Sequence, residues 1–417
     1  MSESLYWTWL SVKLGAASPY LNRLLTTYAS AKDIFDEDDR ELLSLEKIPE
    51  SVKVRLTDKN LERAERILED CRATGIGVMT YADPRYPRIL KYTDKPPAVL
   101  YFKGRPIDFD HKLCVAIVGT RKMSDYGRDM AYRFAYDLAS AGAIVVSGMA
   151  LGVDGMAAAG ALDAQAQTVS VLGGGANVVY PREHKKLYNS ILKDGLILSE
   201  YPPGASSDAI HFPQRNRIIS GLARCTLVIE CPDRSGALIT AEKAVAQGRP
   251  VFAVPGALDM PNSVGTNLLI KNGARMATSA MDILEAFESA AFADLDSSAI
   301  GTMRYDAKKA ANRYGVASKK DDRRVVRLGG RTDADEDAEQ ASALGMEKEQ
   351  KETARDFVTM SPAEKAIYDC IPEEGEVSME LIVSASGQSV ADVTMHLLSL
   401  GIKGAIAELP GNRYRRT

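Results

Sequence analysis

The sequence predicts an α/β protein with a doubly wound, mostly parallel β-sheet, an N-terminal helical domain and a C-terminal winged-helix domain. The sheet is predicted because short β-branched runs alternate with helical stretches of about ten to fifteen residues, the pattern of βαβ crossovers. Some runs, such as 143–146, are apolar throughout, which is typical of parallel strands buried on both faces. The predicted strands cover 114–119, 143–148, 168–175, 196–201, 226–231 and 251–256.

The flanking regions differ from the sheet region in their residue patterns. Residues 1–108 are predicted to be helical, with one helix near 21–30 and a long one from Leu56 to about Thr74, where apolar residues recur at three- and four-residue spacing. The proline-rich stretch 81–104 is expected to be an extended connection into the sheet domain, 109–290.

The C-terminal third is predicted to contain a linker and a small domain. Residues 291–356 are charge-dense and lack an apolar period, so we expect a flexible linker. Residues 357–417 begin with a capped helix at Ser361-Pro362 and continue through a turn at Gly387 to a second helical pattern. A short hairpin with its turn at 410–412 follows, and the order of elements predicts a winged helix.

Composition limits the possible functions without choosing among them. The 417 residues include 52 basic and 56 acidic side chains, for a net charge of -4, so any polyanion site requires a local concentration of Lys and Arg. Five scattered cysteines without a C-x-x-C motif favour a reducing compartment and no metal site. No signal peptide or membrane-length apolar run is present in the sequence, so a cytoplasmic location is expected.

Glycine-rich loops follow the first three predicted strands. In a doubly wound sheet such loops lie at the carboxyl ends of the strands, where helix N-termini present free amides to an anion. Three loops together predict a phosphate-rich ligand, although each loop alone is equally explained as a tight turn. The first loop is not G-x-G-x-x-G and no Walker A motif occurs, which disfavours a nicotinamide or nucleotide-triphosphate enzyme. The loop residues are Gly119, Thr120, Arg121 and Lys122, then Ser147 and Gly148, then Gly173 and Gly174.

The segment 211–222 predicts contact with an unpaired strand. Arg215 and Arg217, with Asn216 between them, can place guanidinium groups on neighbouring phosphates, and Phe212 offers a stacking face for a base. Arg182 and Lys186 are expected on the same sheet edge. The alternatives are that the two arginines form ion pairs with Glu200 and Glu230, and that Phe212 is a core or dimer-contact residue.

Several strings resemble the successive blocks of the DprA (Smf) family, among them VAIVGTRKMSDYG, VSVLGGGANVVYPREHKKLY, FPQRNRIISGLA and SGALITAEKAVAQGRPVFAVPG. The resemblance runs through about 80–288 and implies a Rossmann-like domain that binds single-stranded DNA, forms a homodimer and loads the RecA recombinase. It implies a role in recombination and natural transformation, without catalysis or cofactor. By position it places Arg121, Arg182, Arg215 and Arg217 at phosphates. Leu151 and Ala158 depart from the family pattern, and the N-terminal helices resemble its SAM or helix-hairpin-helix domain only loosely.

Two other functions are compatible with parts of the sequence. A nucleotide-binding enzyme related to the phosphoribohydrolases would use Asp154 and Glu200 as acid and base, but the P-G-G-x-G-T-x-x-E motif of that class is missing. A regulator that reads double-stranded DNA would use the helix at 389–400 for recognition. That helix contains no Lys or Arg, which major-groove readers normally supply.

Overall fold

The computed structural model describes residues 3–233, 235–287, 292, 295–301, 305–319, 360–373, 375–402, 405–409 and 413–416. The N-terminal region is helical, as predicted. Its buried side chains, Trp7, Trp9 and Leu10 among them, share one apolar cluster with residues of the sheet domain such as Leu187 and Ile191. The helices are α1 (Glu3–Leu14), α2 (Leu21–Thr27), α3 (Ala31–Asp36), α4 (Asp39–Ser44), α5 (Glu50–Thr57) and α6 (Glu62–Thr74).

The long helix predicted from Leu56 to Thr74 is wrong, because the chain breaks between α5 and α6. The Asp58 carbonyl accepts a hydrogen bond from Trp9 Nε1 at 3.0 Å, and its carboxylate pairs with Lys13. The Asn60 side chain then accepts from the Glu62 amide at 2.8 Å. Contacts with α1 therefore end α5, and Asn60 helps to start α6.

A nine-stranded sheet forms the centre of the described molecule, in the order β1-β2-β6-β5-β4-β3-β7-β8-β9. The six predicted strands are β3 to β8, and all pair in parallel. The order reverses between β3 and β7, which is the topological switch point of a doubly wound sheet. The strands are β1 (Gly77–Thr80), β2 (Val99–Gly104), β3 (Cys114–Val118), β4 (Ile144–Ser147), β5 (Thr168–Leu172), β6 (Leu196–Ser199), β7 (Cys225–Val228), β8 (Val251–Ala253) and β9 (Arg275–Met276).

The predicted domain boundary at 108 falls inside the sheet unit. Strands β1 and β2 add antiparallel to the edge beside β6, with a one-turn helix, α7 (Arg88–Lys91), between them. The prolines of this stretch lie in the connection and not within the strands, so they do not interrupt the ladder. The helical region therefore ends at α6, and the sheet unit begins with β1.

Helices cover both faces of the sheet. Within β3, Val115 and Ile117 face one core with α8 and α9, whereas Cys114 and Ala116 face the other with α11 and α12. Burial on both faces explains why the parallel strands are almost entirely apolar. The helices are α8 (Asp125–Ser140), α9 (Val153–Asp163), α10 (Lys185–Asp194), α11 (His211–Leu222), α12 (Gly236–Ala246), α13 (Val264–Lys271) and α14 (Met281–Leu284), with 3-10 turns at Arg182–His184, Pro261–Ser263, Glu285–Phe287 and Ser297–Ala299.

The first part of the predicted linker is folded. Helix α15 (Ala307–Tyr314) buries Ala307 and Ala310 in the core shared with α8 and α9. The Tyr314 hydroxyl donates to Asp163 at 2.8 Å, and Arg313 pairs with the same carboxylate. The expectation of a linker beginning at 291 is therefore corrected for 305–319. Residues 320–356 lie outside the described residues.

The C-terminal segment forms a small unit with its own core. Ser361 and Glu364 make the predicted capping box at the start of α16 (Pro362–Asp369). Helices α17 (Met379–Ser386) and α18 (Val390–Ile402) follow, with β10 (Val377–Ser378), β11 (Ile406–Leu409) and β12 (Arg413–Arg416) in an antiparallel sheet. The predicted turn at 410–412 lies outside the described residues. Of the helices described in the chain, none is long and apolar enough to cross a lipid bilayer.

Candidate nucleic-acid interface

A cavity of about 190 Å³ opens at the switch point, where β3 and β7 end; we call it the strand-end pocket. Its walls come from the loops after β3 and β4 and from the first turns of α11 and α12. Parallel strands direct their carboxyl ends to this edge, which is the usual ligand edge of such sheets. The lining includes Gly119, Arg121, Asp154, Phe212, Arg215, Asn216, Ser235 and Gly236.

The loop after β3 places Arg121 at the rim. A Cβ atom on Gly119 would lie 2.6 Å from Val153 Cγ2, so this turn needs a glycine. Thr120 is buried: its amide donates to the Glu230 carbonyl at 2.8 Å, and its hydroxyl accepts from the Lys122 amide at 3.1 Å. The predicted ligand contact of the Thr120 side chain is therefore corrected to a structural one, and half-buried Arg121 and Lys122 lie beside it.

Phe212 is surrounded by cationic and aromatic groups. Its ring centroid lies 5.4 Å from Arg121 Cζ, 5.9 Å from Arg215 Cζ and 5.3 Å from the Tyr180 ring. A Cβ atom on Gly173 would lie 3.1 Å from the Phe212 ring, so the loop after β5 supports the ring from below. The ring remains half-buried and Tyr180 is exposed, which leaves an aromatic surface with guanidinium groups at its side.

Arg215 forms the floor of the pocket and is only 3% exposed. Its Nη1 donates to the Gly148 carbonyl at 2.7 Å and to the Val171 carbonyl, while its Nε has no partner among the described residues. A Cβ atom at position 148 would lie 2.1 Å from Nη1, so Gly148 makes room for the guanidinium group. Burial lowers the pKa of Arg215 to about 10, which still leaves it charged at neutral pH.

Asp154 is the carboxylate of the pocket. It accepts hydrogen bonds from the amides of Gly148 at 3.2 Å and Ala150 at 3.4 Å. Burial raises its pKa, and Arg215 opposes that rise. Within the described part of the chain, no group of three His, Cys, Asp or Glu side chains is placed to hold a metal ion. Asp154 therefore holds the loop amides by hydrogen bonds, and its negative charge stabilises the charged form of Arg215.

Arg217 lies elsewhere, and the expectation that it faces a phosphate is corrected. Residues two apart on a helix are separated by about 200°, so Arg217 points away from the pocket. Its Nη2 lies 2.5 Å from Glu200 Oε2, and the side chains of both residues are buried. Glu200 also accepts from the amide of Ala17 at 3.1 Å. The ion-pair alternative with Glu200 is the arrangement present, and it connects the N-terminal helices to the sheet.

The alternative ion pair of Arg215 or Arg217 with Glu230 does not form. Glu230 instead accepts from the amide of Ser124 at 3.0 Å and from the Ser124 hydroxyl at the start of α8. Gly127 makes room for this carboxylate, because a Cβ atom there would lie 2.1 Å from Glu230 Oε2. Glu230 therefore holds the loop after β3 against α8.

The loops after β4 and β5 are closed rather than open to a ligand. The Ser147 hydroxyl is buried and donates to the Ile117 carbonyl at 2.7 Å. A Cβ atom on Gly174 would lie 2.4 Å from Ser207 Oγ, because the segment after β6 packs over that loop. The predicted phosphate contacts of these loops are thus corrected. Ser147 and the Gly148 amide are engaged in hydrogen bonds within the fold, whereas Gly173 and Gly174 are buried against Phe212 and Ser207.

Further cations extend the rim beyond Tyr180. Arg182 and Lys186 are exposed, on the 3-10 turn and on the first turn of α10, and Lys185 is exposed between them. Asn216 is half-buried and lines the pocket. The structure therefore brings Arg121, Phe212, Arg215 and Asn216 together at the pocket, with Arg182 and Lys186 further along the same edge.

Sequence reasoning missed a strap of residues 315–319 that crosses the loops of the site. The Arg121 carbonyl accepts from the Lys319 amide at 3.0 Å and from the Ser318 hydroxyl at 3.1 Å, and the Gly152 amide donates to the Ala317 carbonyl at 2.8 Å. No signal in the sequence pointed to this contact, because the strap lies in the charged stretch that predicts a linker.

His184 holds the middle of the strap. Its Nε2 accepts from the Ala317 amide at 3.0 Å, which leaves Nδ1 as the donor to the Met149 carbonyl at 3.1 Å. Burial lowers the pKa of His184 and so favours this neutral form. One imidazole therefore joins the strap to the loop after β4.

Comparison with known proteins gives consistent matches. The family described as DNA recombination-mediator protein A matches residues 77–288, the sheet unit from β1 onwards. Protein Smf of Synechocystis sp. is 31% identical over 425 residues, which cover 100% of this chain and 99% of that protein. DNA processing protein DprA of Bacillus subtilis is 40% identical over 220 residues, or 53% of this chain and 74% of that protein.

A solved structure matches the fold as well. The X-ray structure of DNA processing protein A from Streptococcus pneumoniae is 31% identical, with a TM-score of 0.59. The match covers 68% of this chain and 98% of that chain. The similarity therefore includes the arrangement of the sheet as well as the sequence blocks.

Proposed function

The chain belongs to the DNA recombination-mediator protein A (DprA/Smf) family, and we propose on that premise that it binds single-stranded DNA at the strand-end pocket. The observation that carries the proposal is the Phe212 ring, whose centroid lies within 6 Å of the Arg121 and Arg215 guanidinium groups and of the Tyr180 ring. Stacking on such a ring requires an unpaired base, and the neighbouring cations suit the phosphates that flank it.

The strand is held by groups of different kinds. A base stacks on Phe212 or Tyr180, and Arg121 pairs with a phosphate. Arg182 and Lys186 extend the contact along the edge as exposed cations. Ser235 caps the N-terminus of α12 at the pocket wall, where amides favour an anion. Arg215 contributes from the floor through its charge and by supporting Phe212.

The proposed role is that of a mediator without catalysis in recombination and natural transformation. The strand bound at this edge stays accessible on its other side, so that RecA can assemble on it. The alternative of a nucleotide-cleaving enzyme has less support, because Glu200 is held in the ion pair with Arg217 and is directed away from the pocket. We place this activity in the cytoplasm.

Homodimerisation through the sheet domain has support from an exposed apolar patch. Leu258 is 91% exposed in the segment after β8, where Met260 and Val264 are also exposed, and Met276 is exposed on β9. Clusters of this kind mark interaction surfaces. Replacing Leu258 by Glu is expected to shift the chain from dimer to monomer in analytical ultracentrifugation, and an unchanged dimer would refute this face.

The C-terminal unit is proposed to be a winged-helix domain with an auxiliary role. Helix α18 contains no Lys or Arg, and its residues Thr394 and Leu397 line a cavity shared with α13 of the sheet domain. Of the β12 arginines, Arg413 pairs with Glu376. A helix so placed favours contact with protein over base reading in a major groove.

A salt titration of DNA binding tests the proposal. The affinity for a single-stranded oligonucleotide is expected to exceed that for a duplex and to fall steeply with salt. Arg121→Ala is expected to weaken binding, whereas Arg66→Ala, on the exposed face of α6, serves as the matched control. Equal affinity of the wild type and Arg121→Ala would refute the pocket as the binding site.

A further inference from the structure

A second basic cavity lies at the opposite edge of the sheet; we call it the amino-edge cavity. It has a volume of about 380 Å³ and is lined by Arg88, Ile89, Tyr92, Asp110, Arg224, Gln247 and Arg249. Arg224 immediately precedes β7, Arg249 comes two residues before β8, and Asp110 precedes β3. A strand rises about 3.3 Å per residue, so the four residues of β7 alone separate the two edges by roughly 13 Å. The amino-edge cavity is therefore distinct from the strand-end pocket.

Positive charge dominates this cavity. Three guanidinium groups face one carboxylate, and that carboxylate, Asp110, lies 2.9 Å from Nε of Arg88. Among the described residues, no carboxylate lies within ion-pair distance of Arg224 or Arg249. Burial lowers the pKa of Arg249, and the like charge of Arg224 lowers it further.

Two buried polar atoms in this cavity lack a partner among the described residues. They are Nε of Arg249 and Oε1 of Gln247, although Arg249 Nη2 donates to the Ile89 carbonyl at 3.3 Å and Gln247 Nε2 donates to the Arg217 carbonyl at 2.9 Å. Buried polar groups are normally hydrogen-bonded, so the unpaired Nε donor of Arg249 and the unpaired Oε1 acceptor of Gln247 are available to a ligand.

An aromatic ring stands at the mouth of the cavity. Tyr92 follows α7 and is 85% exposed, which is unusual for a ring of this size. Arg224 is fixed on the far side by the Phe292 ring, whose centroid is 5.6 Å from Arg224 Cζ. An exposed ring beside two arginines that lack a carboxylate partner among the described residues is a combination that can receive a base and its phosphate.

We propose that the amino-edge cavity binds a phosphate group, with Arg224 and Arg249 as its ligands and Tyr92 as the stacking face for an attached base. The phosphate belongs either to a polynucleotide strand or to a free nucleotide. The inference goes beyond the proposed function, because binding here does not depend on the strand-end pocket.

The test uses the full chain carrying Arg121→Ala, so that the strand-end pocket contributes little. The variants are titrated in turn with four phosphate-bearing probes: thymidine monophosphate, inorganic phosphate, a short oligothymidylate and a long oligothymidylate. Polyglutamate is titrated as a polyanion without phosphate. The double variant Arg224→Gln/Arg249→Gln is compared with Arg66→Gln, an exposed arginine on α6. We expect the double variant to lose about tenfold or more in affinity for a phosphate-bearing probe, with the control unchanged.

The arms distinguish the two sources of phosphate. Loss of thymidine monophosphate binding assigns the cavity to a free nucleotide. Loss confined to the long oligothymidylate, with a salt slope smaller by about 0.7 for each phosphate lost, assigns it to a strand. Unchanged binding of every phosphate-bearing probe, or an effect on polyglutamate alone, overturns the inference.

A second variant decides the outcome if the double variant does not fold. Tyr92→Ala removes an exposed ring and is not expected to disturb the core. We expect Tyr92→Ala to weaken binding of the base-bearing probe assigned to the cavity by about tenfold, since stacking of one base contributes roughly that factor to affinity. Binding equal to that of the Arg121→Ala parent overturns the inference. Binding of single strands by the chain without Arg121→Ala is measured in parallel, so failure of the strand-end pocket is recorded separately.

Discussion

Arg215 and Arg217 lie two residues apart on α11, yet they belong to two regions with different chemistry. Arg215 forms the floor of the strand-end pocket beneath Phe212, whereas Arg217 is buried in an ion pair with Glu200 that reaches the N-terminal helices through Ala17. The first region is open to a ligand and the second is closed. The difference shows that two basic residues in one motif are separated in function by the rotation of the helix that carries them.

The largest expected effect concerns the closed region. Arg217→Met leaves the Glu200 carboxylate buried without its cation, which is expected to cost about 3–5 kcal/mol of unfolding free energy. Denaturant unfolding measures this loss, and the double variant Arg217→Met/Glu200→Gln is expected to recover part of it. The DNA affinity of the folded fraction should stay near that of the wild type. If Arg217→Met lost DNA affinity but kept its unfolding free energy, Arg217 would belong to the binding site and not to the closed region.

The next effect concerns the rim of the open region. Arg121→Ala removes a partly exposed guanidinium group beside Phe212 and should lower the unfolding free energy much less than Arg217→Met does. We expect the affinity for single-stranded DNA to fall roughly 10- to 100-fold, because charge-assisted hydrogen bonds to phosphate are lost. Fluorescence anisotropy gives the affinity and thermal melting checks the fold. An intact affinity together with an intact fold would remove Arg121 from the site.

Phe212 tests whether the open region holds a base as well as a phosphate. Phe212→Leu keeps apolar bulk on the Gly173 loop but removes the stacking face, at an expected cost of about 1–3 kcal/mol in binding. Phe212→Tyr is the matched control and should bind like the wild type. If both variants bind equally well, the ring serves packing alone.

The smallest effect concerns the strap. Burial lowers the pKa of His184 below its ordinary value of 6.5, despite the opposing charges of Asp154 and Glu183. Because the pKa is lower in the folded state, the neutral ring contributes fully to stability above about pH 6.5. This contribution is lost as the pH falls through the lowered pKa. Hydrogen exchange of the Ala317 amide, corrected for its intrinsic rate, should therefore accelerate on acidification. His184→Gln should abolish that dependence, and an identical dependence in this variant would contradict the assignment.

Much of the sheet and of the helix caps could be predicted from the sequence. Strands β3 to β8 are buried on both faces, and such burial leaves a mostly apolar run that the sequence displays directly. Ser361 was recognisable as a cap because its side chain bonds to an amide within the same turn. Arg121 and Phe212 were placed correctly at the carboxyl edge, since strand order and loop position alone determine that edge.

The remaining features depend on contacts between distant parts of the chain. The break between α5 and α6 arises from Trp9 and Lys13 on α1, which no local pattern reveals. The strap at 315–319 lies in a charged stretch and is held by His184, more than one hundred residues earlier. To predict that Arg217 is buried, one must know both which way α11 faces and where Glu200 lies. Local composition is insufficient in each case.

The most direct test of the strand-end pocket is photo-crosslinking of a single-stranded oligonucleotide that carries 5-iododeoxyuridine, followed by mass spectrometry of the full chain. We predict crosslinks to Phe212 and Tyr180, whose rings lie 5.3 Å apart at the carboxyl edge. We also predict their loss in Arg121→Ala and their retention in Arg66→Ala. Crosslinks confined to the C-terminal unit, 360–416, with none at Phe212 or Tyr180, would contradict the central claim.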